Sequence, residues 1–130
     1  MIVLDASVVL EVLLRTPPAA GLEARLLDSA QTLHAPHLID VEVAQVLRRY
    51  AAMGEADAER CRVALIDLTG LPLKRYPHDF LLPRVWELRN NLTAYDAVYV
   101  ALAEVLDAPL LTCDHWLANA PGHRARIEAV

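Results

Sequence analysis

The chain begins with a short apolar run, Ile2-Val3-Leu4, that ends at Asp5 and is followed by the small residues Ala6 and Ser7. An apolar run of this length that stops at a turn predicts a buried strand. In open α/β sheets, ligands bind outside the carboxyl ends of the strands. A carboxylate is costly to bury there without a cation or a full set of hydrogen bonds. Asp5 is therefore the first candidate for a functional residue, provided that other acids reach the same edge.

Strands and helices are predicted to alternate along the rest of the chain. Strands are predicted at 2–4, 32–35, within 70–75, at 109–112 and at 126–130. Helices are predicted after Ser7, from Pro17-Pro18 along the apolar face of Leu22, Leu26 and Leu27, from Pro36 to the C-cap Gly54, at 56–68 and 77–91, after the N-cap Thr93, and briefly at Trp116-Leu117. This alternation predicts one α/β domain over residues 1–130, with a central parallel sheet of four to five short strands flanked by helices. The side chains of Cys61, Leu65 and Trp86 are expected to face its core.

The composition places limits on the class of protein. Hydrophobic residues make up 55% of the 130 residues, which is enough for one core. No run of about 18 apolar residues lacks a charge, so no membrane span is expected. The first residues lack the basic region of a secretory signal, and two cysteines are too few for a disulfide framework. We therefore expect a cytoplasmic protein with reduced thiols. The net charge of -5 disfavours nucleic-acid binding by bulk electrostatics, unless a metal neutralises acids gathered in one pocket.

Four acids occupy positions that point to such a pocket. Asp5 ends the first predicted strand, and Asp114 follows the fourth. Asp96 lies in the first turn of the helix that Thr93 caps, and Glu42 lies among the valines of a long helix. Side chains at strand ends and helix positions of this kind can converge on one end of a parallel sheet. Three or four carboxylates there would suit a hard cation such as Mg²⁺ or Mn²⁺, which could activate water against a phosphodiester.

Each acid also has a structural explanation, which the residues alone leave open. Asp5 and Asp114 could cap the helices that follow them. Asp96 could simply interact with the positive end of a helix dipole. Glu42 could pair with the arginines at 48–49, although spacings of six and seven do not match one helical turn.

The segments that carry these acids together resemble a known family. They are Asp5-Ala6-Ser7, the helical Glu42, Thr93-Ala94-Tyr95-Asp96-Ala97, and the run from Leu110 to Ala118 that contains Thr112-Cys113-Asp114-His115-Trp116. In order and spacing the chain resembles a PIN domain and, more narrowly, the VapC-type ribonuclease toxins of prokaryotic toxin–antitoxin pairs. The resemblance covers nearly the whole chain.

The resemblance implies a metal-dependent endoribonuclease that is often a homodimer and is inhibited by a partner antitoxin in the active-site groove. By position, Asp5, Glu42, Asp96 and Asp114 would form the acidic site, and Asp5, Asp96 and Asp114 would bind Mg²⁺ or Mn²⁺. The hydroxyl residues Ser7 and Thr112 match the family's supporting polar groups. Some members of the family carry a further acid just after the position of Asp114, whereas residues 115–119 of this chain contain none.

Two neighbours of Asp114 are candidates for contact with RNA. His115 could touch the substrate or carry a proton, and its alternative is an exposed helix residue. Trp116 could stack on a base.

Two other classes of function compete with the nuclease. A catalytically idle PIN-like binding module would use its acids only for structure. A phosphoacceptor signalling domain would show an early pair of adjacent acids and a lysine at a late strand end, whereas Asp5 has no acidic neighbour and Lys74 is the only lysine.

Overall fold

Five short parallel strands form one sheet in a computed structural model that describes residues 1–17 and 19–130. The strands are β1 (Ile2–Leu4), β2 (Leu33–Pro36), β3 (Leu73–Tyr76), β4 (Leu110–Thr112) and β5 (Ile127–Ala129), in the order β3-β2-β1-β4-β5. Every neighbouring pair is parallel. The predicted α/β class, with a central parallel sheet flanked by helices, is confirmed.

The helices cover both faces of this sheet. They are α1 (Ala6–Leu14), α2 (Ala19–Leu26), α3 (Leu38–Ala52), α4 (Ala58–Gly70), α5 (Leu82–Glu87), α6 (Ala94–Leu106) and α7 (His115–Ala118), with a 3-10 turn at Asp79–Leu81. Helix α1 contacts α2, α3 and α4, and α3 packs on α4, whereas α5 packs on α6, and α6 packs on β1, β2 and β4. None of the helices in the described ranges has both the length and the apolar character that a membrane crossing requires.

The strand order reverses between β1 and β4, and this reversal opens a crevice. The chain leaves β1 toward β2 on one side and leaves β4 toward β5 on the other. Right-handed crossovers then place the first helices on one face of the sheet and α6 on the opposite face. Ligands in open α/β sheets bind at such a switch point, outside the carboxyl ends of the strands. Asp5 directly follows β1, and Asp114 lies two residues after β4.

The central strands are predicted well because they are buried throughout. Ile2, Val3 and Leu4 expose 2% or less of their surface, and Leu110 and Leu111 expose none. Strands buried on both faces are continuous apolar runs, and this is the pattern that the sequence displays. Thr93 caps α6 as predicted, since its side chain accepts a hydrogen bond from the amide of Asp96 at 3.2 Å.

Pro36 ends β2 and does not open the next helix, so that prediction was wrong. The pairing of β1 with β2 reaches only His34, whereas the pairing of β2 with β3 extends to Pro36. β1 does not pair with β2 as far as Pro36, so the missing N–H of this proline costs no hydrogen bond to β1. The amide of His37 continues the bonding to β3 through the Tyr76 carbonyl at 2.8 Å, and α3 begins at Leu38.

Three side chains that were expected to be buried are exposed. Leu27 lies just beyond the end of α2 and is 74% exposed. Helix α4 buries Cys61, Ala64 and Leu68, which turns Leu65 toward solvent.

The predicted helix turn at Pro17-Pro18 includes Pro18, which lies outside the described residues.

Trp86 is the third of these side chains, at 68% exposed. The predicted helix over 77–91 is shorter than expected, since α5 runs only from Leu82 to Glu87 and buries Val85. Trp86 points away from that buried side, and the guanidinium of Arg89 lies 4.5 Å from the centre of its ring.

The buried His34 of β2 makes the stability of the fold sensitive to acid. Its ring nitrogens contact the hydroxyls of Thr32 at 2.7 Å and Tyr76 at 2.6 Å. Burial lowers the pKa of His34 below its ordinary value near 6.5, and the positive N-terminus and Lys74 lower it further. A group of this kind binds its proton more readily in the unfolded chain, so acidification favours unfolding.

We predict that this histidine contributes to a loss of stability as the pH falls below about 6.5, with a slope of at most about 1.4 kcal/mol per pH unit for one proton. Urea denaturation between pH 7.5 and 5.5 measures the slope, which should be smaller in His34→Gln than in wild type. His37→Gln removes an exposed histidine and is the matched control. An unchanged slope in His34→Gln would contradict the prediction.

Candidate active site

Asp5 is buried at the end of β1 and is surrounded by hydrogen-bond donors. It is 8% exposed. The hydroxyl of Ser7 donates to Oδ1 at 2.5 Å, the hydroxyl of Thr112 donates to Oδ2 at 2.5 Å, and the amide of Val8 donates to Oδ1 at 3.2 Å. The last of these bonds is the N-cap of α1. Asp5 is thus both a helix cap and the centre of a polar cluster.

The two hydroxyls also join β1 to β4. The Ser7 hydroxyl accepts the amide of Cys113 at 2.9 Å, and the Thr112 hydroxyl accepts the amide of Asp114 at 3.0 Å. We call the side chains of Asp5, Ser7 and Thr112, with these two amides, the hydroxyl clasp. Each hydroxyl accepts a hydrogen bond from a backbone amide and donates one to the Asp5 carboxylate. These bonds fix the rotamer of Asp5 and the direction in which the chain leaves β4.

The hydrogen bonds of the clasp only partly compensate for the burial of Asp5. Burial raises the pKa of Asp5 above its usual value, and the hydrogen bonds from Ser7, Thr112 and Val8 lower it by less. A buried carboxylate with a raised pKa costs stability at neutral pH.

Glu42 and Asp96 lie close enough to Asp5 for their charges to interact. Burial raises the pKa of Asp96, and the charges of Asp114 and Asp5 raise it further. Burial also raises the pKa of Glu42, followed by the charges of Asp96 and Asp5, while the hydroxyl of Tyr99 lowers it. The four acids identified in the sequence therefore lie within range of one another's charges, on the ends of β1 and β4 and on α3 and α6.

Asp114 has a structural role that is compatible with a chemical one. Its Oδ1 accepts the amides of Trp116 at 2.9 Å and Leu117 at 3.3 Å, which makes it the N-cap of α7. The cap uses one oxygen of an exposed side chain. The capping explanation is thus correct for both Asp5 and Asp114, and it fixes where these carboxylates point.

The donor set suits a hard cation in its chemistry. All four groups offer carboxylate oxygen, which Mg²⁺ and Mn²⁺ prefer. Glu42 Oε1 is buried and lacks a hydrogen-bond partner among the described residues. In the ranges 1–17 and 19–130, no three acid, histidine or cysteine side chains lie close enough together to hold an ion as they stand. The carboxylates form an open arrangement of like charges.

Tyr99 belongs to the same cluster, although the sequence analysis did not identify it. Its side chain is 2% exposed on α6, three residues after Asp96. Burial raises the pKa of Tyr99 strongly, and the charges of Glu42, Asp5 and Asp96 add to the effect. The available signal was the Asp-x-x-Tyr spacing, which places both side chains on one side of a helix.

The predicted substrate-contacting residues lie at the surface beside Asp114. His115 opens α7 and is exposed, and Trp116 is 60% exposed. Tyr95, next to Asp96, is 64% exposed and was not singled out in the sequence. An apolar cavity of about 410 Å³ lies elsewhere, between α1, α2 and the end of α4, and none of the four acids lines it.

The family model for the PIN domain matches residues 2–122. The chain belongs to the PIN-domain family. Two of its relatives are from Mycobacterium tuberculosis. Ribonuclease VapC9 is 47% identical over 130 residues, which cover 100% of this chain and 98% of that protein. Ribonuclease VapC12 is 41% identical over 130 residues, with coverage of 100% and 99%.

A solved structure shows that the fold is shared at low sequence identity. VapBC2 from Rickettsia felis, crystallised bound to a DNA fragment from their promoter, superposes with a TM-score of 0.71 and 15% identity. The match covers 99% of this PIN domain and 98% of that chain.

We call the side chains of Asp5, Glu42, Asp96 and Asp114 the acid cluster. Their mutual repulsion is predicted to lower the stability of the metal-free protein and to favour the binding of a cation. Asp96→Asn removes one charge from a group whose burial and charged neighbours raise its pKa, so the metal-free protein should melt higher by about 1–3 °C. The rise in Tm that millimolar Mn²⁺ produces in wild type should be largely lost. Differential scanning fluorimetry with EDTA or Mn²⁺ measures both effects.

The matched control is Asp28→Asn. Asp28 is an exposed turn acid whose Oδ1 accepts the amide of Ala30 at 2.9 Å, a bond that an asparagine oxygen preserves. This variant should behave as wild type with and without Mn²⁺. A lower Tm in metal-free Asp96→Asn, together with an undiminished Mn²⁺ response, would contradict the interpretation.

Proposed function

We propose that this PIN domain is the toxin of a type II toxin–antitoxin pair, an endoribonuclease that hydrolyses RNA phosphodiester bonds at the acid cluster. The observation that carries the proposal is the meeting of Asp5, Glu42, Asp96 and Asp114 at the switch point of the sheet. Relatives named as VapC ribonucleases, which match over the full length, support it independently.

The proposed cofactor is Mg²⁺ or Mn²⁺, held by Asp5, Asp96 and Asp114, with Glu42 completing or orienting the set. When bound, such an ion polarises a phosphodiester, lowers the pKa of a water and stabilises the departing oxygen. The oxygen donors and the unpartnered Glu42 Oε1 support this assignment.

The chain's own residues would orient the reactants. Ser7 and Thr112 hold the Asp5 carboxylate in one rotamer through the hydroxyl clasp. Asp114 is held by the N-cap of α7, and Asp96 lies in the first turn of α6. Held in this way, the carboxylates would define the place where a phosphate and a water meet for an in-line displacement.

The test is cleavage of RNA by the purified protein with Mg²⁺ or Mn²⁺. Asp5→Asn and Asp96→Asn should each lower kcat at least about 100-fold, since a metal ligand supplies several kcal/mol of transition-state stabilisation. Asp28→Asn is again the control and should cleave as wild type. Cleavage that is equally fast in both site variants would rule out this site.

Exposed residues beside Asp114 are proposed to bind RNA. Trp116 offers a face for stacking on an unpaired base, and His115 lies next to it. Trp116→Ala should raise the KM for RNA about tenfold and change kcat less than twofold, because stacking is worth about 1–3 kcal/mol per base. Trp86→Ala, which removes an equally exposed tryptophan from α5, should leave KM unchanged. Equal KM changes in the two variants would exclude a specific role for Trp116.

Two other functions predict different results. A catalytically idle binding module predicts no cleavage and no stabilisation by divalent cations. A phosphoacceptor domain predicts a gain in mass with a small phosphodonor. The structure does not favour the latter, since Lys74 lies within β3 with its ammonium 5.1 Å from the ring of Tyr76, at the edge of the sheet.

The proposed partners are an RNA substrate, a cognate antitoxin that covers the active-site groove, and a second copy of the chain in a homodimer. The structural similarity to VapBC2 supports the shared fold on which the antitoxin assignment depends. A cytoplasmic location is proposed because RNA is the substrate.

A further inference from the structure

Tyr99 has a buried hydroxyl that the rest of the fold leaves unsatisfied. The phenol ring packs in the core on α6, and its hydroxyl has no hydrogen-bond partner among the described residues. Buried tyrosine hydroxyls usually find a partner, because an unpaired buried polar group costs free energy. Such an exception calls for a physical reason.

Glu42 on α3 has a buried hydrogen-bond acceptor that is unsatisfied as well. Its Oε1 is also buried without a partner. Four buried side-chain polar atoms in the described ranges lack a partner, and the other two are ring nitrogens of His78 and His123. Two of the four are therefore a carboxylate acceptor on α3 and a hydroxyl donor on α6.

The charges around the Tyr99 hydroxyl favour its role as a donor. Burial raises the pKa of this hydroxyl, and the carboxylates of Glu42, Asp5 and Asp96 raise it further. The Tyr99 hydroxyl in turn lowers the pKa of Glu42, so the two groups are neighbours. The bond between them is not closed at hydrogen-bonding geometry here, and hydrogen bonds of this kind often tighten only when an enzyme binds its ligand.

We propose that Tyr99 is a positioning residue whose hydroxyl donates to Glu42 and holds that carboxylate toward Asp5 and Asp96. The inference rests on the proposed nuclease function. It assigns to this hydroxyl the task that Ser7 and Thr112 perform for Asp5. Among the described residues, no other hydrogen bond to the Glu42 carboxylate is present.

The first experiment is the kinetics of Tyr99→Phe, which removes only the hydroxyl. We expect kcat to fall about tenfold, the size of one hydrogen bond to a charged group, with the KM for RNA within twofold of wild type. The Tm should be unchanged or higher, since an unsatisfied buried group is removed. Tyr50→Phe removes a hydroxyl two turns further along α3, and is expected to match wild type.

The second experiment separates positioning from a structural role. Mn²⁺ is titrated against the Tm of RNA-free wild type, Tyr99→Phe, Glu42→Ala and the double variant. Tyr99→Phe should shift the midpoint about tenfold toward higher Mn²⁺, as expected for a residue that orients a ligand. In the Glu42→Ala background it should shift the midpoint no further.

Several outcomes would overturn the inference. A purely structural Tyr99 predicts a lower Tm and an effect that adds to that of Glu42→Ala. Wild-type kcat and Mn²⁺ midpoint in Tyr99→Phe would contradict it directly. Failure of the nuclease proposal is distinguishable, because wild type itself would then not cleave RNA, while the Mn²⁺ titration would still test the link between the two residues.

Discussion

The burial of Asp5 is the constraint on which the rest of the structure depends. A carboxylate that is 8% exposed is tolerated because two hydroxyls and one amide donate to it. Those donors come from the first turn of α1 and the last residue of β4, so they exist only when β1 pairs with β4 and α1 starts at Ala6. Since each hydroxyl also accepts a backbone amide from the residues after β4, the same bonds set the path of the chain toward α7. The hydrogen bonds that stabilise the charge are thus the ones that shape the crevice around it.

Glu104 is a second buried acid, and it differs from Asp5 because arginine neutralises its charge. The Glu104 side chain is 5% exposed, but it makes two bonds to the guanidinium of Arg84, at 2.8 and 3.0 Å, and accepts the amide of Arg124. These partners lower the pKa of Glu104 against the effect of burial. No cation performs this task for Asp5, Glu42 or Asp96 in the described parts of the chain, and their pKa values are raised. The chain neutralises one buried acid with arginine but leaves these three without a cationic partner, which is consistent with a site that acquires its positive charge from a ligand.

The parts of this arrangement that could be predicted are those carried by local pattern. β1 and β4 are continuous apolar runs, Thr93 is a cap with a helix behind it, and the acids at strand ends follow from the strands themselves. The parts that could not be predicted depend on which side of a helix meets its neighbour. The exposed Trp86 and Leu65 and the buried Tyr99 look alike in sequence, since each is an apolar or aromatic residue in a helical stretch. Arg84 and Glu104, twenty residues apart, likewise meet only because α5 packs on α6.

Helix ends explain how three of the four acids can lie together without a compensating cation. Asp5 and Asp114 are N-cap residues, and Asp96 lies in the first turn of α6, where exposed amides and the helix dipole favour negative charge. Glu42 differs, because it is the fifth residue of α3 and lies beyond the first turn, where this effect fades. It is also the acid whose Oε1 has no partner among the described residues. The three aspartates are held by backbone amides or stabilised by helix ends, whereas Glu42 depends on the side chains around it. That difference supports the positioning role proposed for the buried hydroxyl of Tyr99.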